Sequence, residues 1–164
     1  MQSSPLQLED YDLKELRFAI VLPLNEPVNP GMQFDPIDIE IGAQTEKRDN
    51  DPYRWRCEVT VRTNEAAEGN FAYSFSLTYV GFFRVVKDFP AERIEQMVRT
   101  NAPAILYSAA REAIVYLSGR GRQPAVLLPS ITFIEPPRQA ASQPNKPTKK
   151  RGGRKKPKAK PLSK

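Results

Sequence analysis

The stretch from Asn101 to Pro129, NAPAILYSAAREAIVYLSGRGRQPAVLLP, decides the fold of this chain. It predicts a helix that begins near Asn101, since asparagine is a frequent N-cap and Pro103 would lie in the first turn, where its missing N–H costs no hydrogen bond. Its apolar residues recur at helical spacing and form one face: Ile105, Leu106, Ala109, Ala110, Ala113, Ile114 and Leu117. The prediction is therefore a long helix with a continuous apolar stripe.

The end of this helix is marked by Ser118, Gly119 and Gly121, after which Pro124 prevents the helix from resuming. The stripe is rich in alanine, whose small side chain allows another helix to approach closely. In a chain of 164 residues, a helix this apolar suggests that a partner buries part of its face.

Four stretches before the helix alternate between apolar and polar residues, a pattern typical of strands: 6–22, 37–46, 53–63 and 71–86. The polar stretch 46–52 predicts a loop between the second and third strands. Gly81 interrupts the last strand, and a glycine there commonly marks a bulge or a close approach of the backbone. Residues 90–99, opened by Pro90, predict a short helix. Strands followed by helices predict an α+β domain, a four-stranded antiparallel sheet packed by a short helix and one long helix.

The charges divide the chain into two parts. Residues 139–164 contain ten Lys and Arg and no acidic residue, whereas residues 1–138 contain 15 basic and 19 acidic residues, a formal charge of −4. We therefore expect a folded domain over 1–138 and a disordered Lys/Arg/Pro-rich tail over 139–164. The tail either binds nucleic acid, anionic lipid or an acidic partner through its charge, or is a solubilising tail with no fixed target. It has no aromatic residue to stack on bases, which argues against specific recognition of nucleic acid.

Composition also bounds the compartment. No run of about 18 apolar residues is present, so no transmembrane segment is expected. The first residues, MQSSPLQLEDYD, lack the basic and apolar regions of a secretory signal peptide. The single cysteine, Cys57, can form neither an internal disulfide nor a metal cluster. We therefore expect a cytoplasmic protein.

Residues that could carry catalysis are few. Histidine, the commonest general base and metal ligand, is absent from the sequence, and no Ser or Cys lies in a nucleophile motif. Arg111 and Glu112 could form a catalytic pair, although an ion pair on the helix surface is the simpler interpretation. Gly119–Arg122 could hold a phosphate, but a C-terminal helix cap explains this stretch better. The sequence therefore predicts no enzyme, no cofactor and no metal site.

Aromatic side chains share one phase of the third and fourth strands: Trp55, Tyr73, Phe75, Tyr79 and Phe83. They form either an ordinary core beneath the helices or, in part, an exposed groove or an oligomer interface, because two short helices hardly cover so wide a sheet. A groove beside a sheet suits an extended polypeptide, whose backbone hydrogen bonds supply affinity while aromatic pockets accept many apolar side chains.

Within 101–129 the chain carries the pattern N-x-P-x-I-L-Y-x-x-A-R-E-x-I-x-x-L-x-x-R-G-x-x-P-x-x-L-x-P. This pattern resembles the signature helix and loop of the SecB-type protein-export chaperones. The segment Gly81-Phe82-Phe83 is similar to the family's G-I-F segment. Four residues of the first strand resemble the family's opening motif: Tyr11, Lys14, Leu16 and Phe18. The resemblance covers most of residues 6–134.

The resemblance implies a four-stranded antiparallel sheet with a long helix, assembled as a dimer of dimers through edge strands and that helix. It implies an ATP-independent holdase, which keeps preproteins unfolded and delivers them to the SecA motor. The client-binding groove is then expected to comprise Trp55, Tyr73, Phe75, Tyr79 and Phe83. The oligomer interface is expected to comprise Phe75, Leu77, Tyr79, Ile105, Ala109 and Ala113.

The chain departs from the family at the surface on which the motor docks. That surface is acidic in the family, and Glu15 keeps this character, whereas Ala19, Ser74 and Ser76 occupy other docking positions. The family's second helix and its acidic or uncharged tail are replaced by SITFIEPP, residues 130–137, and by the basic tail. Client binding is therefore better supported than delivery to SecA.

Three alternatives remain open at this point. Some SecB-like chaperones guard an antitoxin of a toxin–antitoxin system, and this divergent chain could be one of them. An oligomeric module could instead associate with nucleic acid through residues 139–164. The domain could also be a purely structural interaction module, which oligomerises and ignores unfolded clients.

Overall fold

The computed structural model describes residues 3–21, 38–64 and 72–134. This part of the chain forms four strands and one helix: β1 (Leu6–Ile20), β2 (Ile39–Arg48), β3 (Asp51–Thr63), β4 (Tyr73–Val85) and α1 (Ala91–Ser118). The strands form one sheet in the order β1-β4-β3-β2, and each neighbouring pair is antiparallel. The predicted α+β class and four-stranded antiparallel sheet are confirmed.

The hairpin between β2 and β3 is tighter than the sequence predicts. The loop predicted over 46–52 is wrong, because β2 continues to Arg48 and β3 begins at Asp51, which leaves Asp49 and Asn50 as the turn. Polar residues extend β2 readily because its side chains at this end face solvent, and a two-residue loop is the commonest hairpin connection. The predicted strand ends at residues 22, 37 and 71 and the tail at 139–164 lie outside the described residues.

Two register shifts in β1 keep its apolar side chains on one face of the sheet. Its pairing with β4 skips Glu9, between Leu8 and Asp10, and Lys14, between Leu13 and Glu15. Each extra residue resets the alternation, as β-bulges do. The large apolar residues of β1 therefore all lie beside the inward-facing residues of β4: Leu6, Leu8, Tyr11, Leu13, Leu16, Phe18 and Ile20.

The two central strands, β3 and β4, supply most of the core. Their predicted apolar phase is confirmed, since its side chains are buried between the sheet and α1. From β3 these are Trp55, Cys57, Val59 and Val61, and from β4 Tyr73, Phe75, Leu77, Tyr79, Phe83 and Val85. The opposite phase faces away from α1, and we call that side the outer face of the sheet.

The helical part is one element rather than the predicted pair of a short and a long helix. Asn101 is not an N-cap but an interior residue of α1, where its Nδ2 donates to the Met97 carbonyl at 2.8 Å. Pro103 lies inside the helix and is fully buried. Residues from both predicted helices share a single buried face with one side chain every four positions: Ile94, Val98, Ala102, Leu106, Ala110, Ile114 and Ser118. Burial of this unbroken stripe offsets the hydrogen bond that Pro103 cannot donate.

Two glycines mark close approaches between α1 and the sheet. A Cβ atom at Gly81 would lie 2.8 Å from Cδ2 of Leu106, so this position in β4 lets the helix seat directly on the strand. The close approach predicted at Gly81 is therefore confirmed. A Cβ at Gly121 would lie 2.4 Å from the hydroxyl oxygen of Tyr73. The predicted end of the helix at Ser118–Gly119 is also confirmed.

Candidate functional site

The main exposed apolar surface lies on β1, on the side of the sheet that carries α1. Tyr11, Leu13, Leu16 and Ile20 have between 42% and 50% of their surface exposed. They lie beside α1 but not beneath it, because the helix packs mainly over β3 and β4. We call these four residues the β1 apolar face. Contiguous apolar side chains at an edge strand mark an interaction surface.

The flank of α1 that faces this strand continues the apolar surface. Ala109 and Ala113 are partly buried there, while Ile105 and Tyr116 are exposed. Helical spacing places all four opposite Tyr107, whose hydroxyl contacts the C-terminal segment on the other flank. The sheet edge and the helix thus form a shallow apolar surface that is open to solvent.

The five predicted groove residues are buried within the chain: Trp55, Tyr73, Phe75, Tyr79 and Phe83. The polar atoms of two of them are satisfied internally. Trp55 Nε1 donates to the Pro52 carbonyl at 3.1 Å, and the Tyr73 hydroxyl lies 3.1 Å and 3.2 Å from the carbonyls of Ser118 and Gln123. In this chain they form the core beneath α1, and their contact with a client stays a prediction.

The predicted interface residues fall into two groups. Phe75, Leu77 and Tyr79 are buried under α1, whereas the α1 residues Ile105, Ala109 and Ala113 remain wholly or partly at the surface. The helix residues can therefore contact another chain without a change in the protomer. Their role in assembly stays a prediction.

Sequence reasoning missed the β1 apolar face as a site. Strict alternation holds only from Glu15 onward, so Tyr11 and Leu13 are out of phase with Leu16, Phe18 and Ile20. The signal was the spacing of the apolar residues along the chain. Most neighbours are two positions apart, but there is a step of three positions from Leu8 to Tyr11 and another from Leu13 to Leu16. Each step of three coincides with a bulge.

The outer face carries charges of both signs, and ion pairs link neighbouring strands. Arg56 contacts Glu46 on β2 and Glu58 on its own strand, and Arg62 contacts Glu40. Both bulged residues join this network. Glu9 accepts from Arg84 Nε at 2.7 Å, and Lys14 Nζ lies 3.0 Å from Glu58 Oε1. Lys14 therefore bridges from β1 across β4 to β3.

The predicted docking residue Glu15 lies on this outer face. Its carboxylate is 2.8 Å from Nε of Arg17, and both side chains are well exposed. Ala19, Ser74 and Ser76 pair with one another or with Arg17 across the β1–β4 register and add no negative charge. Arg17 offsets the charge of Glu15, while Asp10 and Asp12 lie further along the same face of β1.

Two neighbouring residues of β3 have shifted pKa values. The hydrogen bond from Lys14 lowers the pKa of Glu58 below its ordinary value of 4.5, and Arg56 adds to the effect against a smaller cost of burial. Burial raises the pKa of Cys57 from 9.0 to about 12, since the apolar core disfavours the thiolate. Cys57 is therefore a protonated, unreactive thiol rather than a nucleophile.

Tyrosine hydroxyls on the helix side also have raised pKa values. Burial raises the pKa of Tyr79, and the nearby Tyr11 and Glu112 add to the effect. The rings of Tyr11 and Tyr79 lie 6.1 Å apart between centroids, so the β1 apolar face connects directly to the core aromatic residues. Tyr79 thus borders both the core and the exposed surface.

Other kinds of site find little support in the described ranges. Among residues 3–21, 38–64 and 72–134, no three Cys, Asp or Glu side chains lie together as a metal site would require. Over the same ranges, no helix combines the length and hydropathy needed to cross a membrane. The exposed apolar surface is the feature that distinguishes this fold.

Comparison with known families gives a match that spans most of the chain. The model of the SecB family, described as preprotein translocase subunit SecB, matches residues 7–143. The match includes every described strand and the whole of α1, apart from Leu6 at the start of β1.

Individual proteins agree with the family match. The protein-export protein SecB of Psychrobacter arcticus is 31% identical over 107 residues, which cover 65% of this chain and 70% of that protein. The protein of the same description from Nitrobacter winogradskyi is 31% identical over 130 residues, with 73% and 77% covered. Among solved structures, a SecB-like chaperone of Mycobacterium tuberculosis in complex with a ChAD peptide from an antitoxin has a similar fold. Its TM-score is 0.54 at 14% identity, over 77% of this chain and 88% of that one.

Proposed function

Since this chain belongs to the SecB family, we propose that it is an ATP-independent molecular chaperone that holds unfolded polypeptides for protein export. Its clients are preproteins that have not yet folded, bound along an apolar surface. The proposed location is the cytoplasm, where preproteins are present before translocation. No catalytic step is proposed, since binding and release suffice for holding.

The observation that carries this proposal is the β1 apolar face. Four exposed apolar side chains lie side by side on a sheet edge, next to a helix flank of small residues. Burial of apolar area supplies about 25 cal/mol per Å² before the costs of association, so such a surface favours extended apolar segments of many sequences. Affinity without strict sequence selectivity is what a holdase requires.

A matched pair of variants tests the proposal. Leu16→Asp places a charge in the β1 apolar face, and Ala19→Asp places the same charge on the outer face of the same strand. Both variants are compared with the wild type for their ability to slow the refolding of a slowly folding test protein. We expect Leu16→Asp to lose most of the holding activity and Ala19→Asp to keep it. Equal activity of all three proteins would contradict the assignment of this face, and inactivity of the wild type would contradict the holdase function.

The oligomer is proposed as a dimer of dimers, in which Ile105, Ala109 and Ala113 contact another chain. The support is their position on the flank of α1 beside β1, where they remain wholly or partly at the surface, and the small size of the two alanines, which permits close packing. Light scattering of Ala109→Glu tests this arrangement, with Ser108→Glu, on the exposed side of the helix, as the control. We expect a lower mass only for Ala109→Glu. An unchanged mass would exclude this flank from the interface.

Delivery to the SecA motor is the finer part of the proposal, and Glu15 is its candidate docking residue. Arg17 pairs with this carboxylate and offsets part of the attraction that it would offer to a basic partner. The uncharged residues at Ala19, Ser74 and Ser76 favour a second candidate function, in which the client is an antitoxin and no motor is needed. Binding of the full chain to purified SecA distinguishes the two. Measurable binding that Glu15→Gln abolishes supports export, and the absence of binding favours the antitoxin chaperone.

A further inference from the structure

A cavity of about 560 Å³ lies at the end of the sheet where the turn joins β2 and β3. One row of cross-strand neighbours runs over all four strands there and lines the cavity: Asp10, Phe82, Arg56 and Glu46. Arg54, two positions before Arg56 on β3, lies on the same side of the sheet. These side chains belong to the outer face, so the cavity is on the side away from α1 and from the β1 apolar face.

The cavity is distinct from the surface predicted for motor docking. On β4 that surface includes Ser74 and Ser76, and Glu15 pairs with Thr78, whereas the cavity is lined by Phe82. A strand rises about 3.3 Å per residue, so roughly 13 Å separate Thr78 from Phe82 and roughly 20 Å separate Ser76 from it. A small ligand of the cavity would therefore leave the two serines uncovered.

Arg54 has unused hydrogen-bonding capacity in this cavity. Its guanidinium lies 3.9 Å from Glu9 Oε1 and 3.7 Å from Asp51 Oδ2, and both distances are too long for a hydrogen bond. Glu9 is held instead by Arg84 Nε at 2.7 Å. Asp51 Oδ1 accepts from the Tyr53 N–H at 3.0 Å. Since 38% of the Arg54 side chain is exposed, its N–H donors can reach an added anion.

The position of Arg54 also favours an added negative charge. Arg54 and Arg84 are directly opposed on β3 and β4, and like charges in such a pair destabilise the sheet. Glu9 lies beside both guanidinium groups but is within hydrogen-bonding distance of Arg84 alone. A carboxylate bound at Arg54 would therefore gain hydrogen bonds and offset the remaining repulsion.

The charges that line the cavity limit the kind of anion that it fits. They comprise four basic and three acidic side chains, a formal charge of +1: Lys47, Arg48, Arg54 and Arg56 against Glu9, Asp10 and Glu46. A ligand with one carboxylate matches this small surplus. A polyanion would bring further negative charges close to the three acidic side chains, and their repulsion opposes its binding.

The acidic side chains of the cavity already have partners, whereas two more of the basic ones do not. Glu46 pairs with Arg56 at 3.3 Å, and Asp10 Oδ1 accepts from the Tyr11 N–H at 2.8 Å. Lys47 and Arg48 make no ion pair with residues 3–21, 38–64 or 72–134. The unused capacity of the cavity is therefore for an anion.

Phe82 gives the cavity an apolar floor. It has 42% of its surface exposed on a face that is mostly polar, and it lies between Asp10 and Arg56 in the strand register. An aromatic ring beside a guanidinium group accepts another ring or a long aliphatic side chain. Aromatic residues and arginine are also the residue types that most often dominate the energy of protein–protein contacts.

From these features we propose that the cavity binds a segment of a partner protein in which an acidic residue adjoins an aromatic or large aliphatic residue. The carboxylate pairs with Arg54, with Arg48 nearby, and the adjoining side chain covers Phe82. This inference goes beyond the proposed function and does not depend on it. Because the site lies on the face opposite the β1 apolar face, a partner can bind there while a client is held.

The probe for this site is a short synthetic peptide of repeated Asp-Phe-Gly-Ser units, titrated into the full chain by isothermal titration calorimetry. A second peptide has Asn in place of Asp. The test variants are Arg54→Gln and Phe82→Ala, and thermal denaturation first shows that each variant folds. Arg17→Gln is the matched control, because it removes the same charge from an exposed arginine elsewhere on the outer face. Leu16→Ser weakens the β1 apolar face and shows whether the peptide binds there as a client.

We expect Arg54→Gln to bind the Asp peptide about tenfold more weakly than the wild type, since a charge-assisted hydrogen bond is lost. Phe82→Ala should lose about fivefold through the missing apolar contact. Arg17→Gln and Leu16→Ser should each change the affinity by less than about twofold. The Asn peptide should bind the wild type and Arg54→Gln equally, because the carboxylate and the guanidinium then have no interaction to lose.

Several outcomes would overturn this assignment. Equal losses in Arg54→Gln and Arg17→Gln would mean that overall charge, including that of the basic tail, attracts the peptide. A loss in Leu16→Ser alone would make the peptide a client of the β1 apolar face, and the holdase function would stand. No binding of the peptide by the wild type would exclude the site. If a short RNA instead of the peptide lost affinity in Arg54→Gln and Phe82→Ala, the cavity would be a nucleic-acid site.

The refolding assay separates this site from client holding. We expect Arg54→Gln to slow the refolding of the test protein as the wild type does, because its substitution lies on the opposite face from the client. Loss of holding in Arg54→Gln would place clients on the outer face and overturn the assignment of a separate partner site. Loss of holding in Leu16→Asp, with peptide binding to the cavity unchanged in Leu16→Ser, would support two independent surfaces.

Discussion

At the scale of single residues, Gly81 decides how closely the helix sits on the sheet. We expect Gly81→Ala to lower the free energy of unfolding by about 1–3 kcal/mol, because the new methyl group meets Leu106 and Phe83 within 3 Å and the fully buried Leu106 has little room to move. Gly42→Ala on the edge strand β2 is the matched control, since a Cβ there meets nothing within 4 Å. Urea denaturation of both variants measures the difference. Equal stability of the two variants would contradict the close approach of the helix.

The buried thiol of Cys57 gives a prediction on reactivity and pH. Its pKa is raised to about 12 in the folded chain against 9.0 in the unfolded chain. The unfolded thiol therefore ionises first, so the stability that this group contributes is fully present below pH 9.0 and is lost as pH rises toward 12. We expect a thiol reagent to modify the native protein only at the rate of unfolding. We also expect Cys57→Ala to show a weaker loss of stability above pH 9.0 than the wild type. Rapid modification under native conditions would place this thiol at the surface.

At the scale of elements, the ion pair between Lys14 and Glu58 links two strands that are not neighbours. We expect Lys14→Met to raise the pKa of Glu58 toward its ordinary value, because Lys14 is the largest cause of the lowering. With its pKa depressed, the Glu58 carboxylate stabilises the fold above the ordinary value of 4.5, and this contribution is lost as pH falls through the folded pKa. NMR titration of the side-chain carboxyl measures the shift. Arg17→Met, which removes a charge that pairs with Glu15 instead, should leave the Glu58 pKa unchanged, and an equal response to both substitutions would rule out a specific bridge.

The elements also show what the sequence could predict and what it could not. Alternation in β3 and β4 identifies their buried phase correctly, because both strands are central and one face is fully covered. In β1 the bulges at Glu9 and Lys14 break the alternation, and the trace they leave in the sequence is a step of three between apolar residues, which a polar loop residue would give as well. The prediction that a helix begins near Asn101 is wrong for a different reason. Capping preferences are local and weak, whereas the stripe from Ile94 to Ser118 gains its energy from the sheet beneath it.

The candidate site depended in the same way on long-range packing. The sequence places the aromatic residues of β3 and β4 on one apolar phase, but it does not give the path of α1 across them. Because the helix covers these two strands, Trp55 and Phe83 are buried, and the exposed apolar side chains on the helix side of the sheet are those of β1. The position of the helix, rather than the composition of any strand, therefore determines which apolar residues are free to meet a client.

At the scale of the whole molecule, the charge of the tail and the apolar surface of the fold predict different responses to salt. Residues 139–164 carry ten positive charges, so binding of the full chain to a polyanion such as a short RNA should release counterions and weaken steeply with salt. A client held by apolar burial releases no counterions, so salt does not weaken its binding in this way.

We therefore expect affinity for an unfolded, uncharged test protein to change less than about twofold between about 50 mM and about 200 mM salt. Affinity of the same protein for RNA should fall by at least about tenfold over that range, even if only a few of the ten charges meet phosphates. Anisotropy titrations of both ligands against the full chain, at several salt concentrations, give the slope of log affinity against log salt concentration for each ligand. Parallel slopes would mean that the tail rather than the apolar surface binds the client, and the protein would then be a charge-driven module. Divergent slopes assign client holding to the folded domain, because salt weakens the tail's contacts and leaves apolar burial nearly unchanged.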